Sequence, residues 1–221
     1  MALASVTIER EKQLAAEAAA ELVENHMRVG LGTGSTVAYL LPALASRRLD
    51  VRCVATSLAT EQTARQLGLR VESFAGADAT GRLDIAIDGA DQVSPSGWLV
   101  KGGGGAHTRE KAVAAAAYRF VVIVSSDKLV EQLASPVPLE LLEFGLGATL
   151  QRLRTVALRD VPHSPDGGVI ADFTGDFEDP EALAIQLSAT VGVVEHGLFP
   201  SAMVSDVVVA RGEQVEIRAV R

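Results

Sequence analysis

Two carboxylates three residues apart, Asp88 and Asp91, follow the apolar run Ile85-Ala86-Ile87 and flank Gly89-Ala90. A buried strand running out into such a turn can aim both groups at one pocket, where they divide acid, base and hydroxyl-binding duties. A solvated turn rich in aspartate is the plainer reading of the same residues. Further on, Lys101 opens the run Gly102-Gly103-Gly104-Gly105-Ala106-His107-Thr108-Arg109-Glu110-Lys111. Four successive glycines are costly to order, so a loop that keeps them needs positive φ or a close approach of backbone to something else. Lys101 is a point cation at a strand end, and the glycine N–H groups can form an anion-binding concavity. Thr108 suits a helix N-cap, which places Glu110 in the first turn of the helix, at the loop. There it is either a reacting carboxylate or an acid complementing the helix dipole. Arg109, Lys111 and His107 read as solvated, paired or structural.

A second glycine loop, Gly32-Thr33-Gly34-Ser35-Thr36, lies between a short apolar strand and a helix start. Backbone N–H groups, hydroxyls and the positive helix terminus can together hold a phosphate. A dinucleotide fingerprint fails in both registers, because its last glycine falls on Ser35 or Val37. The end of the next strand, Thr56-Ser57, also lacks the acid that would hold a ribose hydroxyl. No Gly-Lys-Ser/Thr follows, so a P-loop does not fit. A fourth segment, Ser125-Ser126-Asp127-Lys128, follows the apolar strand Phe120 to Val124, and Lys128 can meet an anion there or sit in solvent.

The elements that must position these groups follow from periodicity. Apolar residues at helical spacing predict a helix from Ile8 to about Asn25. Arg28 to Leu31 reads as a strand and Val37 to Ala45 as a helix. Strands near 51–55, 70–73, 83–87, 98–101 and 120–124 alternate with helices near 59–67 and 108–118, which implies a parallel, doubly wound Rossmann-like sheet. After Lys128 the rhythm changes at Pro136 and Pro138. Strand (139–144), helix (148–154), strand (155–158), strand (169–173), helix (181–187) and strand (191–194) form the split βαβ pattern of a smaller ferredoxin-like α+β domain. A final hairpin, 204–210 and 214–220, is expected to return to the first sheet. The domains are therefore read as 1–131 with 204–221, and 132–203.

Composition bounds the rest. The 221 residues carry a net charge of −8 with 48% hydrophobic residues, enough for a real core, and no Lys/Arg cluster that could track a nucleic acid backbone. Cys53 has no second cysteine to pair with and reads as a small buried hydrophobe. No apolar run approaches the roughly 18 residues of a membrane span, and Met1 to Arg10 lack the pattern of a signal peptide. A cytoplasmic location without membrane contact is expected.

Taken in order, Gly32-Thr33-Gly34-Ser35-Thr36, Asp88-Gly89-Ala90-Asp91, Lys101-Gly102-Gly103-Gly104 with Thr108-Arg109-Glu110-Lys111, and Ser126-Asp127-Lys128 resemble the type A ribose-5-phosphate isomerases. The likeness extends to Gly192-Val193-Val194 and Gly197-Leu198-Phe199. It implies Glu110 as proton-transferring base, Asp88 as acid/base for ring opening, and Asp91 and Lys101 lining the sugar site. It also implies phosphate binding by Ser35, Thr36, Lys128 and Lys12, within a substrate site bounded by Thr33, Gly34, Gly89, Ala90, Gly102, Gly103 and Gly104. A sugar phosphate substrate, no cofactor or metal, and a homodimer or homotetramer come with the resemblance. Gln92, where the family usually has an acid, and Gly105 and His107 in the glycine loop depart from its pattern. Two other readings stand beside it: a sugar-phosphate sensor domain, and coenzyme A transferase-like acyl transfer using Glu110 as nucleophile.

Overall fold

The computed structural model describes residues 2–76 and 81–221. Its elements are α1 (Ala2–Ala20), β1 (Arg28–Leu31), α2 (Val37–Ser46), β2 (Arg52–Ala55), α3 (Leu58–Gln66), β3 (Arg70–Val71), β4 (Leu83–Asp88), β5 (Gln92–Val93), β6 (Leu99–Val100), α4 (His107–Ala116) and β7 (Ala117–Ser125). They continue with β8 (Val137–Leu141), α5 (Leu146–Leu153), β9 (Val156–Leu158), β10 (Val169–Phe173), α6 (Pro180–Ser188), β11 (Val193–His196), β12 (Leu198–Phe199), β13 (Asp206–Arg211) and β14 (Gln214–Ala219). The chain divides into two compact units: Met1–Ala90, Arg109–Leu129 and Ala202–Arg221 form the first, Asp91–Thr108 and Val130–Ser201 the second.

In the first unit a seven-stranded sheet runs β14-β13-β7-β4-β1-β2-β3. Every pair is parallel except the edge pair β13–β14. Alternation along β1 shows how its two faces are covered. Val29 and Leu31 join a core with Ala15, Ala16 and Ala19 of α1 and Leu40, Leu41 and Leu44 of α2. Gly30 faces the other way, where a side chain would collide with Val113 of α4. Helices on both faces leave the strands buried along their length, as all of β1 and most of β4 are. Cys53 is buried in this core, and burial, followed by the nearby Glu72, pushes its thiol up to about 12. The C-terminal hairpin returns as expected, with β13 pairing parallel to β7 from Asp206↔Val121 to Ala210↔Ser125.

The second unit holds a four-stranded antiparallel sheet, β11-β8-β10-β9, with α5 and α6 supplying Leu153, Leu183 and Leu187 to its core. This is the ferredoxin-like order read from the sequence. β8 begins earlier than expected and takes in Pro138, which pairs opposite Asp172 and whose carbonyl accepts the Gly197 N–H at 2.7 Å.

Two readings of elements need correction. The strand near 98–101 is not part of the parallel sheet: β6 lies in a three-stranded antiparallel sheet, β12-β6-β5. Five residues separate β5 from β6, too few for the crossover a parallel pair requires, and the Gly97 N–H to Ser94 carbonyl bond turns the chain straight back. The first helix also stops at Ala20 rather than near Asn25. Leu22 and Val23 bond back three residues to Ala19 and Ala20, and His26 adopts φ +71° as the chain reverses into β1.

Candidate active site

The strand order reverses between β1 and β4, and the loops leaving those strands hold the first group of candidate residues. Ligands of open α/β sheets bind at such a switch point, at the carboxyl ends of the strands. The Gly32 N–H bonds the Ile87 carbonyl at 3.0 Å, and the Thr33 N–H then bonds the Asp88 carboxylate at 3.1 Å. The Gly89 N–H reaches the same Asp88 oxygen at 2.7 Å. Asp88 is only 3% exposed. Gly32 is dictated by this approach, because a Cβ there would overlap the Asp88 carboxyl.

The Thr33 side chain turns inward, 2.8 Å from the Thr56 hydroxyl and 3.3 Å from that of Thr60, and Thr60 donates to the Gly32 carbonyl at 2.9 Å. This hydroxyl cluster braces the loop from α3. Gly34 then takes φ +125°, which leaves Gly34 and Ser35 exposed and Thr36 half-buried at the start of α2. The loop thus separates an inward half, which supports Asp88, from an outward half carrying hydroxyls at a helix N-terminus.

Lys12 and Lys128 belong to the same unit. Lys12, on α1, holds Glu9 at 2.6 Å, and Tyr39 of α2 donates to the other oxygen of that carboxylate at 2.8 Å. Lys128 ends the turn after β7, with its ammonium 3.4 Å from Asp127. Asp127 is held below the ordinary carboxylate range: burial opposes ionisation, and the Ser125 hydroxyl and the Lys128 charge outweigh it. Glu11, which no sequence motif singled out, fastens this turn to α1. Its buried carboxylate accepts the Ser126 N–H at 2.8 Å, the Ser126 hydroxyl at 2.7 Å and the Gly212 N–H at 2.7 Å. Neither of its bonding partners is near in sequence, so periodicity gave no signal for it.

Glu110 lies in the first turn of α4 and is 5% exposed. An acid that merely complements a helix dipole normally keeps its carboxylate in water, because burying a charge is costly unless it is paired and hydrogen-bonded. Burial distinguishes Glu110 from Glu61 and Glu181, the first-turn acids of α3 and α6, which are not buried.

The second unit carries Asp91, Lys101 and the glycine loop. The β5–β6 hairpin makes neighbours of residues nine apart: the Asp91 N–H bonds the Val100 carbonyl at 2.8 Å, beside Lys101. Lys101 is 2% exposed, its N–H bonds the Gly197 carbonyl at 2.8 Å, and its ammonium stands 5.5 Å from the Phe199 ring centroid. Asp91 accepts the Gly103 N–H at 2.8 Å. The Gly105 N–H turns back to the Gly102 carbonyl at 2.9 Å, which leaves Gly103 and Gly104 on an exposed crest.

Of the three residues that depart from the family pattern, His107 and Gln92 have local explanations. His107 is fully buried against Gly102, whose φ is +104° and where a Cβ would come within 2.7 Å of the imidazole. Gln92 donates to the Ala134 carbonyl and accepts the Ala134 N–H, both at 2.8 Å. An ionised acid could do only the second.

Among the described residues no cluster of three or more His, Cys, Asp or Glu side chains could hold a metal ion, and no helix is long and apolar enough to cross a membrane.

Comparison with known proteins gives one consistent result. Residues 52–214 match the family model described as ribose 5-phosphate isomerase A (phosphoriboisomerase A). The chain is 44% identical over 204 residues to ribose-5-phosphate isomerase A of Caulobacter sp. strain K31, covering 86% of this chain and 89% of that protein. Identity is 45% over 204 residues to the Methanosarcina acetivorans protein of the same name, covering 86% of each. Among solved structures, the ribose 5 phosphate isomerase A of Neisseria gonorrhoeae superposes with a TM-score of 0.91 at 29% identity, covering 97% of this chain and 98% of that one. A D-ribose-5-phosphate isomerase in complex with phospho-erythronic acid superposes at 0.88 with 32% identity, covering 96% and 99%.

Proposed function

The chain belongs to the ribose 5-phosphate isomerase A family and interconverts ribose 5-phosphate and ribulose 5-phosphate, and we propose that Glu110 is the base that carries the proton between C2 and C1. The reaction removes a proton from C2 of the open-chain aldose, forms a cis-enediolate, and returns a proton to C1. A single carboxylate over the C1–C2 edge serves both carbons. The negative charge that develops on the carbonyl oxygen needs preorganised donors, for which the Lys101 ammonium and the Gly104 N–H of the glycine loop are the candidates. Asp88 exchanges the proton that opens the furanose, and Asp91 with Lys101 binds the sugar hydroxyls alongside Gly89, Ala90, Gly102, Gly103 and Gly104. The phosphate is assigned to Ser35, Thr36, Lys128 and Lys12 at the start of α2, with Thr33 and Gly34 shaping that loop. This anion keeps its charge throughout, so its contacts supply binding energy that positions the reacting end. The phospho-erythronic acid carried by one solved relative combines a phosphate with a planar carboxylate, as a mimic of the planar enediolate should.

The observation that carries the assignment is the burial of Glu110 in the first turn of α4. The same position in a sensor domain would require no buried base, and acyl transfer would require Glu110 to form a thioester with coenzyme A. Glu110→Gln tests the role, because the amide keeps the shape and cannot accept the C2 proton. Turnover is expected to fall by about 10²–10⁴ with KM within a few-fold. A variant within threefold of the wild-type kcat would move the role to Asp88. We further propose a cytoplasmic homodimer or homotetramer that works without a cofactor. Light scattering on the purified protein reads its mass directly.

A further inference from the structure

We infer that Arg159 is a positioning residue for this reaction, holding and polarising the two glycine-loop peptides whose N–H ends belong to Gly103 and Gly104. The inference rests on the proposed use of that loop to stabilise the enediolate oxygen. Arg159 follows β9 and lies far from every motif in the sequence. Its backbone N–H bonds the Ile170 carbonyl at 3.0 Å, which fixes the base of the side chain to β10. Its guanidinium then divides its donors. Nε and Nη2 take both oxygens of Asp172 at 2.7 and 2.6 Å, and Nη1 donates to the carbonyls of Gly102 at 3.1 Å and Gly103 at 2.8 Å. The pairing with Asp172, opposed by burial and assisted by the field of Asp172 and Asp91, raises the guanidinium above its ordinary range, so the cation is permanent.

The consequence follows from the covalent structure of the chain. The Gly102 carbonyl and the Gly103 N–H are two ends of one peptide group, and the Gly103 carbonyl and the Gly104 N–H are two ends of the next. A cation on a peptide oxygen draws electron density from the nitrogen end and makes its N–H a stronger donor, by about 10–30% per bond in condensed-phase estimates. The first N–H is engaged by Asp91 at 2.8 Å, and the second lies on the exposed crest of the loop. Arg159 therefore orients Asp91 through the first peptide and strengthens an outward oxyanion donor through the second. Four contacts, two to Asp172 and two to the loop carbonyls, need the guanidinium fork; a lysine ammonium presents its donors at one point and cannot span Asp172 and two carbonyls.

The test compares Arg159→Gln, Arg159→Lys and Asp172→Asn with wild type. It measures kcat, KM, thermal midpoint, inhibition by inorganic phosphate, and affinity for a phosphorylated four-carbon aldonate whose planar carboxylate mimics the enediolate. We expect Arg159→Gln to lower kcat by about 10–100-fold, below the roughly 10²–10³-fold loss that follows removal of an oxyanion donor itself. Aldonate affinity should fall in parallel, while KM and phosphate inhibition stay within a few-fold. Arg159→Lys should not rescue kcat. Asp172→Asn, which loosens the anchor and keeps the charge, should give an intermediate loss, and it carries the test if Arg159→Gln does not fold. A lower thermal midpoint with kcat and aldonate affinity within threefold of wild type in the folded variants would reduce Arg159 to a structural tie. A loss confined to KM, or full activity in Arg159→Lys, would equally overturn the inference. Wild-type protein without isomerase activity would instead refute the functional reading itself.

Discussion

Glu11 of α1 accepts both the backbone N–H and the hydroxyl of Ser126, at 2.8 and 2.7 Å, across 115 residues of sequence. With the Gly212 N–H as third donor, one buried carboxylate ties α1, the turn before Lys128 and the C-terminal hairpin together. Burial raises its proton affinity, and the three hydrogen bonds outweigh burial and hold the carboxyl below its ordinary range. Its folded value thus lies below its unfolded one. The stability it contributes is present above about pH 4.3, the unfolded value, and is lost as pH falls through the lower folded value. Glu11→Gln should destabilise the protein at neutral pH by about 1–3 kcal/mol, since the amide nitrogen turns a donor toward donors. Urea melts at a series of pH values check this, with wild type and variant converging on acidification. A gap that stays constant down to acid would show that the charge of Glu11 is not what matters.

Gly32→Ala places a methyl group on the Asp88 carboxyl. Either β1 shifts or Asp88 leaves the Thr33 and Gly89 N–H groups, so the expected cost is about 1–3 kcal/mol of overpacking together with a large loss of turnover. Thermal melts and kcat of the same preparation test both parts. Wild-type kcat in this variant would show that the position of Asp88 is immaterial to the reaction.

Lys128→Ala is expected to raise KM more than it lowers kcat, because the phosphate charge does not change during the reaction. Removing the ammonium, which stands 3.4 Å from the Asp127 carboxylate in the wild type, also leaves that carboxylate uncompensated toward the substrate phosphate. The double variant Asp127→Asn, Lys128→Ala should therefore recover part of the lost affinity. Unchanged inhibition by a phosphorylated substrate analogue in the single variant would remove Lys128 from the site.

Activity is expected to survive exhaustive EDTA treatment, because the proposed charge stabilisation comes from Lys101 and backbone donors, and no ligand cluster is found among the described residues. Loss of turnover on chelation, restored only by a divalent ion, would overturn the mechanism.

Much of this protein was legible one residue at a time. β1, its glycine loop and α2 follow from an apolar run, turn residues and helical spacing, all of which act over a few residues. The split βαβ order of the second unit was equally local, since each element announces itself by its own period. The four motifs were visible because glycine runs and paired carboxylates are unusual compositions in short windows.

Tertiary structure decided what no window contains. Burial separates Glu110 from an ordinary first-turn acid, and burial depends on what packs over it. The antiparallel placement of β6 depends on which strand it meets, a choice its two residues cannot encode. Glu11 and Arg159 look like any surface charge in sequence; their roles arise because folding sets Ser126 and Gly212 against one, and Asp172 and the Gly102–Gly103 carbonyls against the other. A hydrogen bond between distant residues leaves no periodic trace, so a chain alone can display the groups that react but not those that hold them in place.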